Sequence, residues 1–231
     1  MKVAAIKVDR MKTDRTVALV WIAGPAKIWL VATGAQVRGE YAKSAERRQQ
    51  IVDAAVEVFS SVGYRKGSLR DVADRVGLSQ AGVLHHFPSK EHLLEAVLSW
   101  RDGQTARLMG DPLPQGVDFL RGLVRAAEHN ATTPELVELH VIVSAEGTSA
   151  DHPLRGYFVG RYATVLGHTR EAFERAAANG QLRPGTDCAS AARTLIALMD
   201  GLQVQWLLTP DRIDMAGDLR RYLQPLLIVE L

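Results

Sequence analysis

A single cysteine, Cys188, stands among 231 residues. No intrachain disulfide can form, and a reducing compartment, the cytoplasm, is expected. No charge sign dominates either. Twenty-eight Lys and Arg face 26 Asp and Glu, a net charge of +2 that by itself names no partner. A run of about eighteen apolar residues, the length a spanning helix needs, is missing. The nearest approach, "VALVWIAGPAKIWLVATGA" at residues 17–35, is broken by Gly24-Pro25 and Lys27, so neither an export signal nor a membrane partner is expected. The chain also lacks Gly-x-Ser-x-Gly, a phosphate-cradling glycine loop and paired metal-ligand spacing. His129, His140, His152 and His168 have no i, i+4 partner. These gaps argue against an enzyme, a metal site or a cofactor. Sustained two-residue alternation and internal repeats are absent as well, which argues against a sheet or a solenoid.

What is present is ordinary for a globular protein: 47% hydrophobic and 23% charged residues. The distribution of charge says more than its sum. Residues 1–50 hold ten Lys and Arg (Lys2, Lys7, Arg10, Lys12, Arg15, Lys27, Arg38, Lys43, Arg47, Arg48) against Asp9, Asp14, Glu40 and Glu46. Such a basic front suits a polyanion, although a solvated tail explains it too. Residues 1–43 read as a poorly ordered extension, and the compact chain is expected from Ser44.

From there the periodicity is helical. Ile51, Ala54, Ala55, Val58, Phe59 and Val62 form one apolar stripe, closed by Gly63. Ser68 with Asp71 reads as a capping box opening a second helix that Gly77 stops. Ser79 caps a third helix, ended at Pro88, and Ser89 caps a fourth that runs to about Met109. After the loop "GDPLPQG", helices are expected at 117–130, 135–146, 153–179, 187–208 and 213–227, separated by Gly- and Pro-rich breakers. The fold class is all-α: a three-helix domain at 44–104, linked by its fourth helix to a larger bundle at 111–231.

Two short helices around Gly77-Leu78-Ser79 fit a helix-turn-helix, at about residues 68–87, whose second helix enters the DNA major groove. Advancing 100° per residue from Val83 puts His86 and Phe87 on the core side. Ala81, Gly82, Leu84 and His85 then face away. Glycine inside a helix costs roughly 1 kcal/mol relative to alanine. Close approach to a phosphate or base edge would justify that cost at Gly82. Gln80 can pair bidentately with adenine. His86 is read as a structural core histidine, and Cys188 as a small buried residue in preference to a redox sensor.

The stretch "SLRDVADRVGLSQAGVLHHFPSKEHLLEAVL" resembles the N-terminal domain of the TetR family of transcriptional repressors. "AERRQQIVDAAVEVFSSVGY" is similar to that family's first helix, and "NGQLRPGTDCASAARTLIALMDGLQVQWLLTP" to its last hairpin and dimer helices in some members. The resemblance implies phosphate contacts from Ser68, His85 and Lys90, and base contacts mainly from Gln80, Ala81 and Gly82, with Ser79 also on the DNA-binding surface. The family often carries tyrosine where this chain has Leu84. The resemblance then implies one phosphate hydrogen bond fewer and an apolar group suited to a thymine methyl.

It further implies a repressor released from double-stranded operator DNA, an inverted repeat, by a small-molecule effector. The apolar stripes of the bundle suit an apolar or aromatic effector, with Trp100, His140, Phe158, Tyr162, Met199 and Trp206 as candidate cavity residues. Core packing explains each of these equally well. Leu195, Ile196, Leu198, Met199, Leu202, Val204, Leu207 and Leu208, with Leu219, Leu223, Leu226 and Leu227, spread apolar surface over more than one helix face. A homodimer built on the 187–208 and 213–227 helices is therefore expected. The alternative is a helical adaptor or ligand carrier that has lost DNA binding or binds it constitutively.

Overall fold

The computed structural model describes residues 34–231, with side chains from residue 42 onward. Residues 1–33 of the expected extension lie outside the described residues, and from Gly34 the chain is helical. Residues 51–231 form one compact unit. Its elements are α1 (Gly34–Lys66, whose earlier turns precede this unit), α2 (Leu69–Val76), α3 (Gln80–His86), α4 (Lys90–Met109), α5 (Val117–Asn130), α6 (Pro134–Glu146), α7 (Arg155–Ala178), α8 (Cys188–Leu208) and α9 (Met215–Leu223). Among the described residues the one strand-like feature is an isolated bridge between Leu182 and Leu227. No helix of the described residues is long and apolar enough to cross a membrane.

The first core forms where the short helices converge. Ile51, Ala55, Val58 and Phe59 of α1 meet Val72 of α2, Val83 of α3 and Leu93, Leu94, Val97 and Leu98 of α4, all buried. Phe87, just past α3 and fully buried, ties that helix into the cluster. Each Ile, Val, Leu or Phe among them contributes about 1.5–3 kcal/mol by leaving water. Leu139 and Val143 of α6, Leu154, and Phe158 of α7 belong to the same cluster. The core under the short helices is thus continuous with the bundle.

Two sequence expectations are corrected here. Val62, placed on the α1 stripe, is 48% exposed: at Gly63 the backbone leaves helical geometry (φ 78°, ψ 157°), and Val62 faces a cleft beside α6 instead. The last helix ends at Leu223, not 227, because Pro225 offers no amide to an α-helical ladder. A 3-10 turn at Gln224–Leu226 follows.

The second core joins α5, α7, α8 and α9 around Phe119, Leu120, Phe173, Leu195, Leu219 and Leu223. This burial decides which apolar residues remain for a partner. Leu195, Ile196, Leu202, Leu219, Leu223 and Leu227 are used inside the monomer. Val204 (44%) and Leu208 (77%) of α8 stay exposed.

Candidate functional site

Local chemistry sets the two short helices with little freedom. At the start of α2 the Asp71 amide donates to Ser68 Oγ (3.2 Å), while the Ser68 amide donates back to Asp71 Oδ2 (2.9 Å). The Ser68 hydroxyl also donates to Asp71 Oδ2 (2.7 Å). At the other end Gly77 takes the left-handed conformation (φ 66°, ψ 34°). A residue with a Cβ is strained there, so glycine sets the angle at which α3 departs. Ser79 then caps α3 by accepting from the Gly82 amide (3.1 Å).

Ser68→Ala is expected to lower stability by about 1 kcal/mol in urea unfolding at neutral pH. The hydrogen bonds from the Ser68 hydroxyl and amide hold the Asp71 carboxyl below its usual 3.8. That stabilisation is complete above this value and is lost as pH falls through the depressed folded-state value. The gap between parent and variant should therefore narrow below about pH 4. A gap that stays constant down to about pH 2 would rule out the carboxylate's part in the cap.

The face of α3 turned away from the core presents Gln80, Ala81, Leu84 and His85, all exposed, and Gly82, half-exposed. Val83 and Phe87 are fully buried on the opposite side, with His86 between. A Cβ built at Gly82 would meet nothing closer than 3.5 Å, at Leu78 Cβ and Ser79 Oγ. Ordinary contact at that distance means the fold does not require glycine there. Whatever favours it lies on the outside.

Two residues implied as phosphate contacts are engaged within the protein. Both donors of Ser68 serve Asp71. The Lys90 ammonium donates to the Tyr64 carbonyl (2.5 Å) and lies 4.3 Å from the Tyr64 ring centroid. Burial pushes its pKa below the usual lysine value. Lys90 thereby pins the start of α4 to the end of α1.

Between α4, α5, α7 and α8 lies a cavity of about 570 Å³. Its apolar wall includes Met109, Leu113, Phe119, Leu123, Ile196 and Met199. Its polar wall holds Arg101, Asp102, Tyr157, Arg161, Asp200 and Gln203. Arg161 Nε donates to both Asp102 oxygens (3.0 and 3.1 Å), and the Tyr157 hydroxyl adds a third bond to Oδ2 (2.8 Å). The Tyr162 hydroxyl donates to Asp200 Oδ2 (2.7 Å). Burial, then the neighbouring carboxylates, push both phenols up, Tyr162 to about 12. Burial also raises the Asp200 carboxyl. A larger cleft of about 750 Å³ between the end of α1 and α6 has rims of exposed Val62, Arg65, Lys66, Glu135, Glu138 and Ile142.

Of the six candidate cavity residues, Met199 is on the wall. Tyr162 reaches the cavity through its bond to Asp200. Trp206 belongs to the second core, while Phe158 and, against its edge, the half-buried Trp100 belong to the first. His140 is 2% exposed beside the Phe158 ring. Burial and the Arg101 and Arg161 charges keep it neutral, well below the usual value. An apolar or aromatic occupant matches half of the wall. The charged half went unread, although one signal for it was available: Arg101 stands four residues after Val97 and three after Leu98, a charge on the apolar stripe of α4. Cys188 is half-buried, and burial followed by nearby Glu174 and Asp187 raises its thiol, which disfavours the reactive thiolate.

Comparison with known proteins matches both halves of this arrangement. Residues 51–97 match the profile of bacterial regulatory proteins of the tetR family, and residues 118–227 that of the C-terminal part of BetI-type transcriptional repressors. The chain is 27% identical over 197 residues to the HTH-type transcriptional regulator TtgR of Pseudomonas putida, covering 80% of this chain and 92% of the relative. It is 25% identical over 182 residues to the A-factor receptor protein of Streptomyces griseus, covering 76% of this chain and 60% of that one. Among solved structures, SmeT, the repressor of the Stenotrophomonas maltophilia multidrug efflux pump SmeDEF, superposes with a TM-score of 0.60 at 23% identity. That match covers 78% of this chain and 90% of SmeT.

Proposed function

This chain belongs to the TetR family of DNA-binding transcriptional regulators, and we propose that it is a repressor, released from an inverted-repeat operator when a small molecule fills the cavity between α4, α5, α7 and α8. The observation that carries the reading is the outward face of α3. A capped seven-residue helix, held by Val83 and Phe87, leaves the side chains of Gln80, Ala81 and Leu84 exposed, with Gly82 half-exposed between them. Gln80 reads a base, His85 contacts phosphate, and Leu84 suits a thymine methyl. Ser68 and Lys90 act chiefly by holding α2 and α4 in place.

A dimer is part of this reading. Thr194, Ala197, Gly201, Val204 and Leu208 recur at three- and four-residue steps along α8, exposed or half-exposed. Small residues followed by apolar ones let two α8 helices pack closely about a two-fold axis. The α9 helix contributes less than its sequence promised, because Met215, Ala216, Leu219 and Leu223 face α5 and α8 of the same chain.

The effector acts by occupying a cavity walled in part by α4, which starts beside α3 and ends at Met109 on the cavity wall. For a 100-fold loss of operator affinity it must favour the DNA-incompetent arrangement by about 2.7 kcal/mol, and operator must weaken effector binding equally. That the A-factor relative is named as a receptor supports a ligand-responsive reading.

Protection of the upstream promoter DNA by the purified protein tests the proposal. Gln80→Ala should cost about 1–3 kcal/mol and relax preference at particular base pairs. Uniform weakening across all sequences would remove Gln80 from the base readers, and no salt-dependent promoter binding at all would sink the repressor reading.

A further inference from the structure

Within that ligand-responsive reading, one side chain of the cavity is unlike the others. Arg101 is 7% exposed, a buried guanidinium on the cavity wall. The carboxylate within ion-pair reach is Asp102, whose Oδ1 lies 3.9 Å from Nη1. Asp102 is already taken by Arg161 and Tyr157 at 2.8–3.1 Å. A guanidinium has five N–H donors, and a contact of 3.9 Å is longer than a hydrogen bond. The strain is visible in its acidity: burial, and then Arg161, bring Arg101 down to about 10. The cavity also holds the complementary defect. Gln203, 6% exposed, donates through Nε2 to the Met199 carbonyl (3.3 Å), and its Oε1 has no partner.

We propose that the effector is a small organic carboxylate whose acid group pairs with Arg101, whose own N–H or O–H donates to Gln203 Oε1, and whose apolar body rests on Met109, Leu113, Phe119, Leu123 and Ile196. A guanidinium and a carboxylate share a planar two-bond geometry, which offers Arg101 two acceptors in one step. A phosphate monoester fits less well. It brings a charge of about −1.5 to −2 beside Asp102 and Asp200, against one unmatched guanidinium. An organic cation would find Asp200 already bonded to Tyr162 and two guanidiniums close by.

Titration calorimetry on the full chain tests this with N-acylglycines, from butyryl to lauroyl, against their methyl esters. These probes carry a carboxylate, an amide N–H and an adjustable apolar body. For the best-fitting chain the acid should bind about tenfold to a hundredfold tighter than the ester. Arg101→Met should erase that preference and melt higher than the parent without ligand, since it removes a buried charge whose carboxylate partner is already held by Arg161 and Tyr157. A merely structural Arg101 predicts the opposite shift in melting. Gln203→Leu should keep the preference for acid over ester while removing the advantage of N-acylglycines over fatty acids of equal length.

Acids and esters binding alike, no member of the series binding, or an Arg101→Met protein that retains the acid preference would each overturn the assignment. Operator release is read separately. Release by a molecule without a carboxylate, from this cavity, leaves the repressor reading and removes the carboxylate. Acids that bind through Arg101 without changing operator affinity leave the carboxylate site and remove the effector role.

Discussion

Replacing Gly82 by leucine is expected to leave a folded protein that has lost its operator. On the protein side there is room, since the first added carbon meets nothing nearer than 3.5 Å. Leucine also favours the helix by up to about 1 kcal/mol over glycine, so α3 should become more stable. On the DNA side the same side chain stands between Gln80 and Leu84 on the face proposed to enter the groove. It would hold the helix off the base edges and leave little beyond phosphate attraction. The margin of specific over non-specific binding spans about 10³–10⁷, and a loss of about a thousandfold is expected. Thermal melting by circular dichroism and operator titration by fluorescence anisotropy would be run on the same sample. Unchanged operator affinity in a normally melting protein would mean that this face of α3 does not meet DNA.

Val204→Arg should act through assembly. Val204 is 44% exposed in a monomer that has no internal use for it, one step from Gly201 and Leu208 on the α8 stripe. Two arginines brought together across a two-fold axis would bury like charges in an apolar seam, which the dimer cannot absorb. Light scattering should report a dimer for the parent and a monomer for the variant. Operator affinity should fall by about 10²–10⁴, because two half-sites no longer bind as one linked event. The melting temperature of the monomer should move little, as Val204 contributes to neither core of the compact unit. A variant that stays dimeric and keeps its operator would put the interface elsewhere, with the exposed Val159 of α7 the next apolar surface to test.

Capping, periodicity and breakers act within a few residues of one another, and these the sequence carried openly. Ser68 with Asp71, Gly77, Ser79 and Ser89 marked helix ends that the structure places at the same positions. The orientation of α3, with Val83 and Phe87 in and Leu84 and His85 out, followed from 100° per residue. Family membership followed from the same stretch. The sequence is silent where the answer depends on which helices share a wall. Arg101, Arg161, Asp200 and Gln203 come from three helices and meet only because α4, α7 and α8 converge. Aromatic residues were the natural guess for a cavity, yet the two cores claim Trp206, Phe158 and Trp100. The same competition governs the proposed dimer face, because the sequence does not say which of its many leucines the bundle will bury. Local free energies choose the helices and their ends, whereas the leftover charge in the cavity and the leftover stripe on α8 exist only after the helices have packed and used up their other surfaces.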